Sequence, residues 1–136
     1  WLRGGDLFEE EEGQLRFFST DMVWEWVDQD IEKRAWYLAT FVPKVLFKQE
    51  GKICWARELL IRYGTLKDVR DNLVANFSSE GWTGPASLHF QQKKESLLAF
   101  RKEEDNKNVI KWIDDYVEGL NRQIEYEKIN EERRGY

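Results

Sequence analysis

Apolar residues recur along this chain at intervals of three and four and nowhere alternate convincingly with a period of two. That spacing is the mark of amphipathic helices rather than strands. Val23, Trp24 and Val27 form the first stripe, with Ser19 or Thr20 placed to cap it and Asp21 in its first turn. Asp28-Gln29-Asp30 ends that helix and caps the next, expected over Ile31 to Val42. Ala35, Leu38, Ala39 and Val42 share its inner face, broadened by Trp36, Tyr37 and Phe41. Pro43 breaks or kinks it, because proline lacks an N–H and clashes with the preceding turn. Val45, Leu46 and Phe47 predict one more apolar turn before the polar loop Lys48 to Lys52.

A third helix is expected from Ile53 to Tyr63, with Trp55, Ala56, Leu59, Leu60 and Tyr63 at helical spacing. Gly64 reads as a left-handed terminator, and Thr65 as the cap of a fourth helix, Leu66 to Asn76. Leu66, Val69, Leu73, Val74 and Phe77 supply its stripe. Ser78 to Gly84 is a conspicuous loop bearing Trp82, after which Pro85 suits the first position of a helix reaching Lys102. Leu88, Phe90, Leu97, Leu98 and Phe100 give that helix only partial apolar content. Asp105 or Asn106 caps the last helix, where Val109, Ile113, Tyr116, Val117, Leu120 and Ile124 recur regularly and Trp112 widens the face.

These elements predict an all-α chain, a short stack of antiparallel helical hairpins. It reads either as a HEAT-like α-solenoid fragment or as an irregular helical bundle. Residues 1–18 are expected to be an irregular lead-in, 19–131 a helical-repeat-like domain, and 132–136 a fraying tail. The acidic run Glu9 to Glu12 fits a solvated loop. The chain opens on Trp1 rather than Met, and a piece of a larger polypeptide is expected.

Composition narrows the chemistry. With 7 Trp and 8 Phe among 136 residues, the chain has ample material for a core and does not match a disordered composition. A net charge of −5 opposes a general pull toward nucleic acid or anionic lipid, while leaving room for a local basic face. Cys54 is the one cysteine, so no internal disulfide and no cysteine metal cage can form, and a cytoplasmic setting is expected. No apolar run approaches the roughly 20 residues of a membrane helix, so no membrane partner is expected.

Two stretches carry a family resemblance: WVDQDIEKRAWYLATFVPKVLF, from Trp26, and ARELLIRYGTLKDVRDNLVANFSSEGWTGPASLHFQQKK, from Ala56. Their sharpest features are Arg57-Glu58-Leu59-Leu60 with Tyr63-Gly64, then Asp68-Val69-Arg70, then Asn76-Phe77 with Gly81-Trp82 and Gly84-Pro85-Ala86-Ser87. Asp68-Val69-Arg70 also matches a turn-and-helix element common in HEAT repeats. Together they resemble the C-terminal HEAT-like helical region of large bacterial multidomain proteins. Many of those carry a STAND-type NTPase or another effector upstream, and several belong to conflict or anti-phage systems. The resemblance implies a sensing, docking or scaffolding role, with any NTPase chemistry lying elsewhere. No GxxxxGK followed by Ser or Thr occurs in this chain.

Candidate residues follow with their plainer alternatives. Trp82 is either a partner anchor or a ring folded back to close the groove beneath its loop. Arg57, Arg62 and Arg70 are candidate partner contacts, or ion-pair ties between layers. Lys44, Lys48, Lys52, Arg57 and Arg62, and separately Lys93, Lys94, Arg101 and Lys102, are candidate phosphate-tracking patches. His89 and Cys54 lack companions at metal-ligand spacing, and a structural role is the expected one for each. Asp28, Asp30, Glu32, Asp114 and Asp115 include adjacent carboxylates that capping and solvation explain. The expectation is a non-catalytic interaction domain with no cofactor and no metal. It docks a protein partner, or other domains of its parent, for an upstream effector. The alternative is a nucleic-acid-binding accessory module.

Overall fold

The computed structural model describes residues 19–46, 53–79 and 81–135. Among them every regular element is a helix. They are α1 Thr20–Asp28, α2 Ile31–Ala39, α3 Trp55–Tyr63, α4 Lys67–Phe77, α5 Ala86–Lys102 and α6 Lys107–Arg134. The all-α expectation holds. The chain divides after Ser79 into two compact units.

In the first unit α2 packs most extensively on α4 and also meets α1 and α3. Val27, Ala35, Leu38, Ala39, Ala56, Leu59, Leu60 and Leu73 are fully buried. These are the stripe positions predicted by helical spacing, so period and burial agree. Ser19 caps α1, its Oγ accepting from the Met22 N–H at 3.2 Å. Trp24 packs beside Trp55 and Tyr63, with ring centroids 5.4 and 6.1 Å away.

Where α2 stops is instructive. The helix ends at Ala39, three residues short of expectation. Phe41 and Val42 keep turning, each donating its N–H to the Leu38 carbonyl. Pro43 cannot continue that pattern. The carbonyls left over at Ala39 and Val42 accept from the Asn76 side-chain amide at 3.2 and 2.8 Å. Asn76 sits on α4 and is buried, so α4 closes the end of α2.

Other helix ends also depart from expectation. No further helical turn forms at Val45 and Leu46, although Leu46 is buried. Phe47 and the loop Lys48 to Lys52 lie outside the described residues. Helix α3 begins at Trp55, because Ile53 and Cys54 precede the first helical turn and Cys54 is extended. Gly64 is not left-handed: its φ is −67°. A left-handed glycine closes helix ends by exposing its N–H to earlier carbonyls. Here the Arg70 guanidinium donates to the Gly64 carbonyl at 3.2 Å. Thr65 does not cap α4; that position is Leu66, which offers no side-chain bond.

In the second unit α5 and α6 form an antiparallel hairpin. Contacts at both ends fix the direction: Ser87 with Glu131, and Arg101 with Asp114. Asn106 caps α6, its side-chain oxygen accepting from the N–H groups of Asn108 and Val109. Val109, Trp112, Ile113, Tyr116, Leu120 and Ile124 are buried. The helix continues through Arg133 and Arg134, beyond the start of the expected tail, and Gly135 ends it at φ +78°. Two terminal arginines suit the negative end of the helix dipole.

Pro85 is the cap of α5 rather than its first helical residue, and its side chain has no acceptor to offer. The Glu131 carboxylate replaces it, accepting from the Ser87 N–H at 2.9 Å and the Ser87 hydroxyl at 2.5 Å. Those two bonds lower the Glu131 pKa below its ordinary value.

Two outcomes test these closures. Asn76→Ala should cost about 1–3 kcal/mol in urea unfolding, the penalty of stranding buried carbonyls; a change below roughly 0.3 kcal/mol would contradict the role. Glu131 in the folded chain holds its proton less readily than in the unfolded chain. Its stabilisation is therefore complete above pH 4.5, the ordinary glutamate value, and is lost as pH falls through the lower folded value. Glu131→Gln should flatten that acid limb in thermal melts, while leaving the far-ultraviolet helix signal at pH 7 in place.

Candidate functional site

The loop before α5 carries an exposed tryptophan ring. Gly84 takes φ +84°, a left-handed geometry that bulkier residues adopt only with strain. Pro85 then fixes the entry into α5. The turn lays the Trp82 indole on the His89 imidazole, with centroids 4.3 Å apart and planes 7° from parallel. Phe90 meets the same indole at 5.6 Å with a 55° tilt. Trp82 nevertheless stays 48% exposed. It is not the buried groove-filling ring of the plainer reading. It is a ring held from one side and open on the other.

His89 is the partner that holds it. Its ring also contacts Phe90 at 5.3 Å. Among the described residues no three His, Cys, Asp or Glu side chains stand together so as to hold a metal ion.

The three candidate arginines belong to the first unit. Arg62 lies over the Trp24 ring at 4.8 Å. Arg70 donates to the Gly64 carbonyl at the end of α3. Arg57 is half-buried on α3. Arg34 of α2 lies 4.7 Å over Trp26. It also donates to the Trp26 carbonyl at 2.7 Å, in the last turn of α1. The arginines are thus drawn to rings and helix ends more than to one shared groove. Arg57 and Arg62 are five positions apart on α3, about 140° around the helix, so they do not line one face.

Three of the candidate carboxylates are similarly engaged. Asp28 accepts from the Tyr63 hydroxyl at 2.5 Å. Asp114 binds Arg101 through both oxygens, at 2.6 and 3.2 Å. Asp115 pairs with Lys111 at 3.2 Å. Asp30 stands at the start of α2 without a side-chain capping bond. The Cys54 thiol donates to the Val45 carbonyl at 2.9 Å, tying the start of α3 to the segment after Pro43. Lys48 and Lys52, two members of the first basic patch, lie outside the described residues. In the second patch Arg101 is already committed to Asp114.

Sequence reasoning missed Glu131 and the outward side of α5. The first had a readable signal. Pro85-Ala86-Ser87-Leu88 offers no Ser, Thr, Asp or Asn ahead of the helix and no acid in its first turn. Its cap therefore had to come from elsewhere. The second also had one: Leu88 and Leu97 cannot share a helix face, being nine positions apart.

Comparison with protein-family models, with curated proteins and with solved structures gives no match. The functional reading thus rests on the residues themselves.

Tyr63 supplies a test of the ring cluster. Burial, then its bond to Asp28 and the charge of that carboxylate, raise its pKa well above the usual phenol value. The unfolded chain therefore loses the phenolic proton first. Stability should be complete below pH 10 and fall as pH rises above it. Tyr63→Phe should cost about 1 kcal/mol at pH 7 and remove that component of the alkaline loss. An unchanged alkaline slope in chemical denaturation would contradict the assignment.

Proposed function

We propose that this chain is a non-catalytic helical interaction domain that docks a protein partner, with Trp82 as the anchor. Within the resemblance described above, it is the helical-repeat end of a larger bacterial protein, serving an upstream effector. One observation carries the reading: an indole pinned face-to-face on His89 yet left half open to water. Tryptophan is enriched among residues that dominate binding energies. A ring already fixed in place loses little rotamer freedom on binding, which lowers the entropic cost of association. Asp28, Asp114, Asp115 and Glu131 are engaged in a phenol bond, ion pairs and a helix cap.

The partner need not be known to test this. A photo-crosslinking amino acid is placed at position 82 of the full polypeptide in its own cells, and at the exposed Glu118 as a control. The expected outcome is one discrete protein adduct from position 82, identified by mass spectrometry, and none from position 118. Adducts to nucleic acid alone, or equal yields at both positions, would overturn the reading.

A further inference from the structure

We infer that the Trp82–His89 stack is a proton-operated clasp, in which the chain's one histidine, when charged, holds the indole harder in its docking position. This rests on the docking role proposed above and adds its regulation.

The indole has little else to hold it. Among the described residues Trp82 makes no hydrogen bond and no ion pair, and its ring partners are His89 and Phe90. Thr83 and Gly84 beside it are exposed. Phe90 meets the indole at a 55° tilt, whereas His89 lies flat against it, 7° from parallel. The imidazole therefore sets the plane in which Trp82 is presented.

That imidazole can change its charge without losing a bond. Neither ring nitrogen of His89 is bonded to another described residue, so a second proton arrives from water and breaks no hydrogen bond. Imidazole is the ordinary side chain that exchanges its charge between about pH 5 and 8. A cation within about 6 Å of an indole face is attracted by the ring quadrupole, and tryptophan is the strongest such acceptor. The 4.3 Å separation lies inside that reach. A neutral imidazole keeps only the ring–ring attraction. Protonation thus adds an attraction that the neutral pair lacks. At an exposed ring it is worth about two- to fivefold in an equilibrium constant.

The surrounding charges do not replace the indole in this role. On α5 the nearest charged residue along the same side is Lys93, one turn on. The bond between Ser87 and Glu131 brings Glu127, Lys128 and Glu131 of α6 level with His89. Glu131 is committed to Ser87. Two cations thus offset two carboxylates, and none of the four pairs with His89. Phe90, Thr83 and Gly84 carry no charge.

The direction follows by linkage. Protonation favours the closed stack, and the closed stack is the docking form. A partner that grips Trp82 therefore binds more tightly on the acid side of the imidazole range, by at most the same factor, and loses that gain as pH rises through it.

A double-mutant cycle measures the clasp with no partner present. Wild type, Trp82→Ala, His89→Ala and the double variant are unfolded in urea at about pH 5.5 and about pH 8, the two sides of the imidazole range. Glu131 is charged at both, because its pKa is lowered from the ordinary 4.5. The Trp82–His89 coupling, expressed as a ratio of equilibrium constants, should be about two- to fivefold larger at the lower pH. His89→Phe keeps a stacking ring that takes no proton, and its coupling to Trp82 should be the same at both pH values. Equal coupling to His89 at the two pH values, a larger one at the higher pH, or a pH dependence that survives in His89→Phe would overturn the clasp. None of these results bears on the crosslinking outcome at position 82, so the docking role and its regulation fail separately.

Discussion

The helices of this chain are closed by side chains that reach in from other helices. Four ends show it. Arg34 of α2 takes a carbonyl in the last turn of α1. Asn76 of α4 takes two carbonyls beyond α2, Arg70 of α4 takes the carbonyl after α3, and Glu131 of α6 takes the N–H of Ser87 in α5. Buried or half-buried peptide groups without partners are costly, and these ends have little local capping chemistry. Packing and hydrogen bonding are thereby coupled. A helix here cannot drift from its neighbour without exposing a peptide group, so each unit is held in register by polar bonds as well as by its rings.

The same constraint positions the candidate site. Glu131 fixes the first turn of α5, which holds His89 and Phe90. The Gly84-Pro85 turn then returns Trp82 onto that surface. An open indole on a rigid base is a binding device only while the base stays put. The proposed docking role therefore depends on a carboxylate on α6, far from Trp82 in the chain.

Much of this was legible from residue spacing. The stripes on α1, α2, α3, α4 and α6 mark most of the residues that are buried, because burial follows the 3.6-residue period, although Trp36 and Leu66, counted in those stripes, are exposed. Ser19 and Asn106 cap where short polar side chains before apolar stripes should. The loop singled out around Trp82 coincides with the division between the two units. What could not be read were the ends closed from a distance. A glycine after a helix looks like a left-handed stop, yet at Gly64 an arginine six residues on removes the need. A proline before a helix looks like its first residue, yet Pro85 sits one place earlier because Glu131 supplies the missing acceptor. Ala39 ends α2 early for the same reason: Asn76 makes the shorter helix affordable. Such outcomes depend on which side chains meet in space, and spacing along one segment does not contain that. Leu88 is a different case: it counts only within the partial apolar content of its helix, and it is exposed.

The most direct measurement is the mobility of the Trp82 indole N–H by nitrogen relaxation, in the wild type and in Glu131→Gln. The account predicts an order parameter of about 0.8 in the wild type, as for rigid backbone, and a clear drop when Glu131 no longer fixes the start of α5. A wild-type value below about 0.6, the flexible range, or a value indifferent to Glu131, would contradict it.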